Sequence, residues 1–239
     1  IALGFDAVAS ASLSFAALDG TATGVGSIAI GEAAVAGTSS SSIAIGRNTD
    51  ATGTDAMALG SNAQSTGSES VSIGQSFASG NSSFAAVIDN NTSTYGASSA
   101  NSIAMGRQSK AGNINSVSIG SFASAIGDSS YALGYQATAE SWNSVCIGAN
   151  SKADRTGKIA FAAGIFAVTG DAQGGQFILR RLTTDATPKT LSTTGGNGGA
   201  SNQIVANADS AITFDGTMTA LQHGAQAYAS WQIEGLLVN

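Results

Sequence analysis

NSIAMGRQSKAGNINSVSIGSFASAIGDSSYALG, residues 101–134, says one phrase three times: S-I-A-M-G, S-V-S-I-G and S-Y-A-L-G. The closing glycines are Gly106, Gly120 and Gly134, fourteen residues apart each time. A fixed period of this size marks a supersecondary unit stacked on copies of itself, and it governs how every shorter pattern is read. Outward from this stretch the phrase returns at Gly31, Gly46, Gly60, Gly74 and Gly148. The spacings are 15, 14 and 14 from Gly31 to Gly74, and 14 throughout from Gly106 to Gly148. I-A-L-G at 1–4 is a truncated copy. S-F-A-A-L at 14–18, S-F-A-A-V at 83–87 and K-I-A-F-A at 158–162 are worn copies without the glycine, which brings the count to 12.

Each phrase reads as a short strand, since aliphatic residues alternate with Ala or Ser at period two. Ile103 and Met105 point one way and Ala104 the other; Val117 and Ile119 oppose Ser118. The closing glycine supplies a backbone conformation with positive φ at a sharp corner. The remainder of each unit is small and polar, as in R-Q-S-K-A-G, with room for a second short strand and a second corner. Two strands and two corners in fourteen residues describe one coil of a parallel β-solenoid, and 12 coils at about 4.8 Å each give a rod roughly 55 Å long. The large side chains are expected to fill the interior. The opposite side then presents a column of small residues: Ala29, Ala44, Ala58, Ser72, Ala104, Ser118, Ala132 and Cys146. That column reads either as a solvated face or as one pared down so that identical chains pack closely. A 43% apolar content with only 10% charged residues favours close packing.

Composition narrows the function. Nine Lys and Arg against 15 Asp and Glu leave a net charge of −6, which argues against nucleic acid as a partner. No apolar run reaches the roughly 18–20 residues of a membrane helix, so no membrane insertion is expected. The chain opens in the middle of a phrase, which reads as a piece of something longer.

The pattern N-S-x-A-I-G-x-x-[AS]-x-[AS]-x-G, repeated at fourteen over residues 1–162, resembles the head repeats of trimeric autotransporter adhesins of the YadA type. The resemblance implies an all-β fold: a left-handed parallel β-roll assembled as a tight homotrimer. Two departures stand out, the worn coils and an insertion. Gly74 and Gly106 are 32 residues apart, two coils plus four, and the extra residues fall in D-N-N-T-S-T-Y-G at 89–96.

The beat stops after Ala162, so the expected domains are the head repeats at 1–162 and a small antiparallel β domain at 163–239, capping the solenoid. Strand-like runs lie at 176–183, 203–206, 211–214 and 226–233, and the expected arrangement is a sandwich. G-D-A-Q and L-R-R-L-T-T-D-A-T-P followed by W-Q-I-E-G-L-L also resemble the C-terminal domain that follows such repeats in fibre proteins of tailed bacteriophages. That resemblance implies a virion fibre, tail or head, partnered by other virion proteins and by a glycan or protein receptor on a bacterial surface. The alternative is a bacterial cell-surface adhesin head, although no neck or heptad stalk is visible.

Chemistry is sparse in this sequence, and the expectation is a non-enzymatic chain without cofactors. His223 is the single histidine and has no nucleophile elbow near it. Cys146 sits in a small-residue slot and reads as a buried structural thiol. Asp55, Asp89 and Asp128 lie in loops but show no EF-hand spacing. G-D-A-Q-G-G at 170–175 lacks the Lys-Ser/Thr of a phosphate loop and reads as turn chemistry. A polysaccharide-cleaving fibre would need two carboxylates across a groove; Asp185, Asp209, Asp215 and Glu234 are available but follow no pattern. The candidate receptor contacts are aromatic: Tyr95, Tyr135 and Trp142, flat faces flanked by Asn, Gln and Ser, of a kind on which sugar rings stack.

Overall fold

A computed structural model describes residues 1–87, 89, 94–185, 187–206, 211–221 and 227–239. His223 and Asp209 lie outside the described residues, as do parts of the 89–96 insertion and of the 226–233 run. Among the described residues no helix is present, so none crosses a membrane. Their strands form sheets of 13, 11 and 2 members.

Each phrase is a strand of the largest sheet, and neighbouring phrases pair in parallel. Ile103, Val117, Tyr131 and Val145 stack in one column; Ala104, Ser118, Ala132 and Cys146 stack in the next; Met105, Ile119, Leu133 and Ile147 form the third. The polar half of each coil contributes a two-residue strand, such as Lys110–Ala111, Ser124–Ala125 and Thr138–Ala139, to the parallel 11-stranded sheet. The insertion falls where the sequence placed it, between Phe84–Ala86 and Gly96–Ala97.

Both corners of a coil need left-handed backbone. The closing glycine takes φ between 113° and 140° at Gly106, Gly120 and Gly134, a region that side chains avoid. Gly120 is required for a second reason, because a Cβ there would strike the carbonyl group of Gly134 in the next coil. Two further positions per coil are left-handed without glycine. One lies two residues past the glycine (Asn48, Asn62, Gln108, Asn150) and one two residues before the strand (Asp55, Asn101, Asn115, Asn143), all with φ of 52–60°. Asn and Asp tolerate this region best, which explains the Asn of the N-S-x-A-I-G phrase. The Ser that follows is a turn clasp. Ser102, Ser116, Ser130 and Ser144 donate Oγ–H to the carbonyl three residues back, at 2.5–2.6 Å, and are buried there without an unmet polar atom.

The interior reverses the expected facing. Ala29, Ala44, Ala58, Ser72, Ala104, Ser118, Ala132 and Cys146 are each 0% exposed within the single chain and belong to its core, so this column is not a surface another chain could touch. Ile103 is 36% and Met105 38% exposed, so the large side chains point outward. The cause is coil length. Only five residues of a coil are in strands, three and two, and tight corners bring the two sheets back to back. The gap admits small side chains, almost all methyl and hydroxymethyl groups, with Cys146 and Thr49 the largest fully buried. The narrow sheet contributes Ala97, Ala111, Ala125, Ala139 and Ala153 from its side, all fully buried.

The compact unit that holds the coils continues to Asn202, past the expected boundary at 162. Its last strand, Gln173–Gln176, pairs antiparallel with Ile159–Ala162 and covers the open end of the large sheet. At the narrow sheet's open end the Gln173 side chain replaces a strand: Oε1 accepts from Lys152 N at 2.7 Å and Nε2 donates to Lys152 O at 2.9 Å. G-D-A-Q-G-G is therefore the capping element, not merely a turn. Gly174 is needed there because a Cβ would run into the Phe161 ring.

Residues 203–239 form a second unit, one antiparallel hairpin of Ala211–Leu221 and Tyr228–Val238. The expected sandwich is not found: 203–206 is not a strand, and of 176–183 only Gln176 and a single bridge at Arg180 are paired. Ile212, Phe214, Met218, Trp231, Ile233 and Leu237 fall on one hairpin face by alternation.

The inverted facing sets a stability order. Ala104→Leu forces three extra carbons between Ala85 and Ser118, and should cost about 1–3 kcal/mol or more by overpacking. Ile103→Val removes one half-exposed methyl and should cost less than about 1 kcal/mol. Urea unfolding of both variants measures the order.

Candidate functional site

Two surfaces of the roll are built from distinctive residues. The first is the outer face of the large sheet. Its columns are apolar from end to end: Ile28, Ile43, Met57, Val71, Ile103, Val117 and Val145 in one, and Ile30, Ile45, Leu59, Ile73, Met105, Ile119, Leu133 and Ile147 in the other. All are half-buried or exposed in the single chain. The outer column of the narrow sheet is mostly polar, with Thr21, Asp50, Gln64, Lys110, Ser124, Thr138 and Lys152. One side of the rod is thus wettable, and the other is a continuous apolar strip roughly 55 Å long.

The second surface is the edge formed by the corners that follow the phrases. Arg107, Phe122 and Tyr135 come from three successive corners of this edge. The Arg107 guanidinium lies over the Phe122 ring, 5.2 Å from its centroid. Phe122 and Tyr135 meet edge to face at 6.0 Å and 90°. Asp89 pairs with Arg107 at 3.4 Å. Tyr95 occupies the preceding corner of the same edge, half-buried against the alanine core. Trp142 is on the opposite edge, between Thr138–Ala139 and Val145–Ile147, so the structure does not bring it together with Tyr135. Both rings are open to solvent, Tyr135 by 50% and Trp142 by 54%. The sequence reading singled out Tyr95 and Tyr135 but missed Arg107 and Phe122. Arg107 and Tyr135 directly follow a closing glycine and Phe122 lies one residue further on, so the available signal was their place at the corners of successive coils, which must be neighbours.

The other candidates carry less. The Cys146 thiol is pushed up to about 11 by burial, and its Sγ lies 2.9 Å from the Thr138 carbonyl oxygen as a donor. It is an inert core group at neutral pH. Asp215 and Glu234 face each other across the hairpin register. They stand on one face of a two-stranded sheet, and Asp185 lies in the other unit. Among the described residues no cluster of three or more His, Cys, Asp or Glu is placed to hold a metal ion.

Past the last coil, Asp171 organises an exposed loop. Its carboxylate accepts N–H bonds from Phe166 at 2.9 Å, Ala167 at 2.6 Å and Val168 at 2.8 Å, and the amides of Val168, Ala167 and Phe166 hold its pKa below the ordinary value. Because the folded value is depressed, the bonds contribute fully above the unfolded value of about 3.9 and are lost as pH falls through the folded one. Backbone amide shifts of 166–168, followed by NMR from pH 6 to 2, should therefore move together below about pH 3.9. Asp171→Asn should show shifted amides already at pH 6.

Residues 22–49, 51–76, 97–123 and 125–151 match the sequence model of the YadA head domain repeat (2 copies), each match spanning two coils. No curated protein matches the chain. The matched segments coincide with the regular coils, and the unmatched stretch 77–96 holds the worn coil and the insertion.

Proposed function

From a chain built on YadA head domain repeats over 22–151, we propose a non-enzymatic fibre protein of a bacteriophage virion, tail or head, that attaches to the host surface as a rigid homotrimer. The observation that carries the reading is the one-sided apolar strip on the large sheet. A single chain leaves that strip in water. Three copies around an axis parallel to the rod bury all of it, and the polar narrow sheets then face outward. Rigidity follows from the parallel ladders, because every coil is hydrogen-bonded to the next along its length. The virion setting is supported by the resemblance of the C-terminal sequence to phage fibre domains.

A bacterial adhesin head is the second reading, and the repeat match itself favours it, because the same strip serves either setting. A fibre depolymerase is the third; the Asp215–Glu234 pair is its nearest structural support.

In solution the native chain should scatter light as three times its 23.4 kDa mass. Ile119→Asp, on the apolar strip, should yield monomers, whereas Ser124→Asp, on the polar sheet, should leave the trimer intact. A stable wild-type monomer overturns the assembly. Immunogold microscopy of an infected culture separates the settings: label on free virions is expected, and label confined to bacterial envelopes would favour the adhesin.

A further inference from the structure

Phe122 occupies a left-handed corner position, φ 59°, that Asp6, Ala33, Asn48, Asn62, Gln108, Gln136 and Asn150 fill in other coils. A bulky ring gains nothing from that backbone, where Asn or Gly is at ease. Here the ring contacts a residue of the coil before and one of the coil after, the Arg107 guanidinium and the perpendicular ring of Tyr135. Beyond Tyr135 along the edge, the matching corner position is Ala149, too short to cover a neighbouring ring. Tyr135 therefore ends the stack with an open shelf beside it.

We propose that this edge is a carbohydrate subsite that takes a neutral pyranose chain laid along the rod. The assignment rests on the attachment function proposed above and names the ligand class and the residues. Tyr135 supplies the stacking surface for the apolar C–H face of one ring. Arg107 and Asp89 supply a donor and an acceptor side by side, 3.4 Å apart. A sugar hydroxyl both donates and accepts, so such a pair matches vicinal hydroxyls. An acidic sugar fits poorly: the Arg107 charge is already neutralised by Asp89, and the chain carries a net −6. The aromatic corner is flat and open, which suits an extended chain rather than an enclosed monosaccharide.

The test is retention of the intact chain on immobilised dextran, mannan and galactan, with alginate as the acidic comparison. At least one neutral polymer should retain the wild type, and alginate should not. Tyr135→Ala should weaken that retention about tenfold or more, and Arg107→Gln severalfold, while Tyr135→Phe keeps it. Thermal unfolding of all variants should match the wild type, since Tyr135 and Arg107 are exposed. Retention on alginate alone, on none of the neutral polymers, or undiminished in Tyr135→Ala overturns the proposal. Adhesion to whole bacteria separates this from the attachment function. If Tyr135→Ala still adheres like the wild type, the subsite is wrong and attachment stands. If the wild type does not adhere, attachment itself fails.

Discussion

A coil of fourteen residues leaves room between its two sheets for little more than a methyl group. The rest of the molecule follows from that gap. Ala and Ser must point inward, so alternation drives Ile, Val, Leu and Met outward onto the large sheet. An interior of methyl groups buries little apolar area per residue, and ordering the chain costs about 1–2 kcal/mol per residue. Backbone ladders, serine clasps and left-handed Asn corners hold the single coil in shape. The main apolar payload is left on the outside, on the face that the proposed trimer would cover. In that assembly, folding and association would be divided between the two faces of one strand.

The same constraint separates two kinds of variation along the rod. Inward positions hold Ala or Ser, with Cys146 and Thr49 the largest side chains fully buried. Corner positions accept almost any residue that tolerates the backbone, and the corners are where Arg107, Phe122, Tyr135 and Trp142 appear. Corner positions of successive coils lie next to one another along the rod, so three substitutions 15 and 13 residues apart, Arg107, Phe122 and Tyr135, place three side chains in contact. Recognition can be written into this fold without disturbing its core, provided that it is written at the edges.

The repeat made the architecture legible. Strand positions, the positive φ of the closing glycines, the second short strand and the place of the insertion all follow from residues that recur at fixed spacing. Facing was not legible, because period-two alternation distinguishes two sides without saying which is inside. The usual rule, large residues in, assumes sheets far enough apart to hold them, and that distance is a property of the closed coil. The cap was misread for a related reason. Gln173 acts through its side-chain amide as if it were backbone, which no local pattern announces. The C-terminal runs at 176–183 and 203–206 have strand-like composition, but among the described residues only Gln176 and Arg180 of them are paired, and pairing decides the matter. Of the candidate site, the aromatic residues were visible singly; their grouping on one edge, and the exclusion of Trp142 from it, required the order of corners around the coil.

The amide of Gln173 touches only the backbone N–H and C=O of Lys152, groups that every coil presents in the same place. These two bonds are therefore indifferent to the side chains of the coil they close. Coils can be gained or lost upstream in whole units, each changing the reach of the rod by about 4.8 Å, without any change to the way it ends. Reach becomes a quantity that duplication and deletion of a 42-nucleotide unit can tune in even steps.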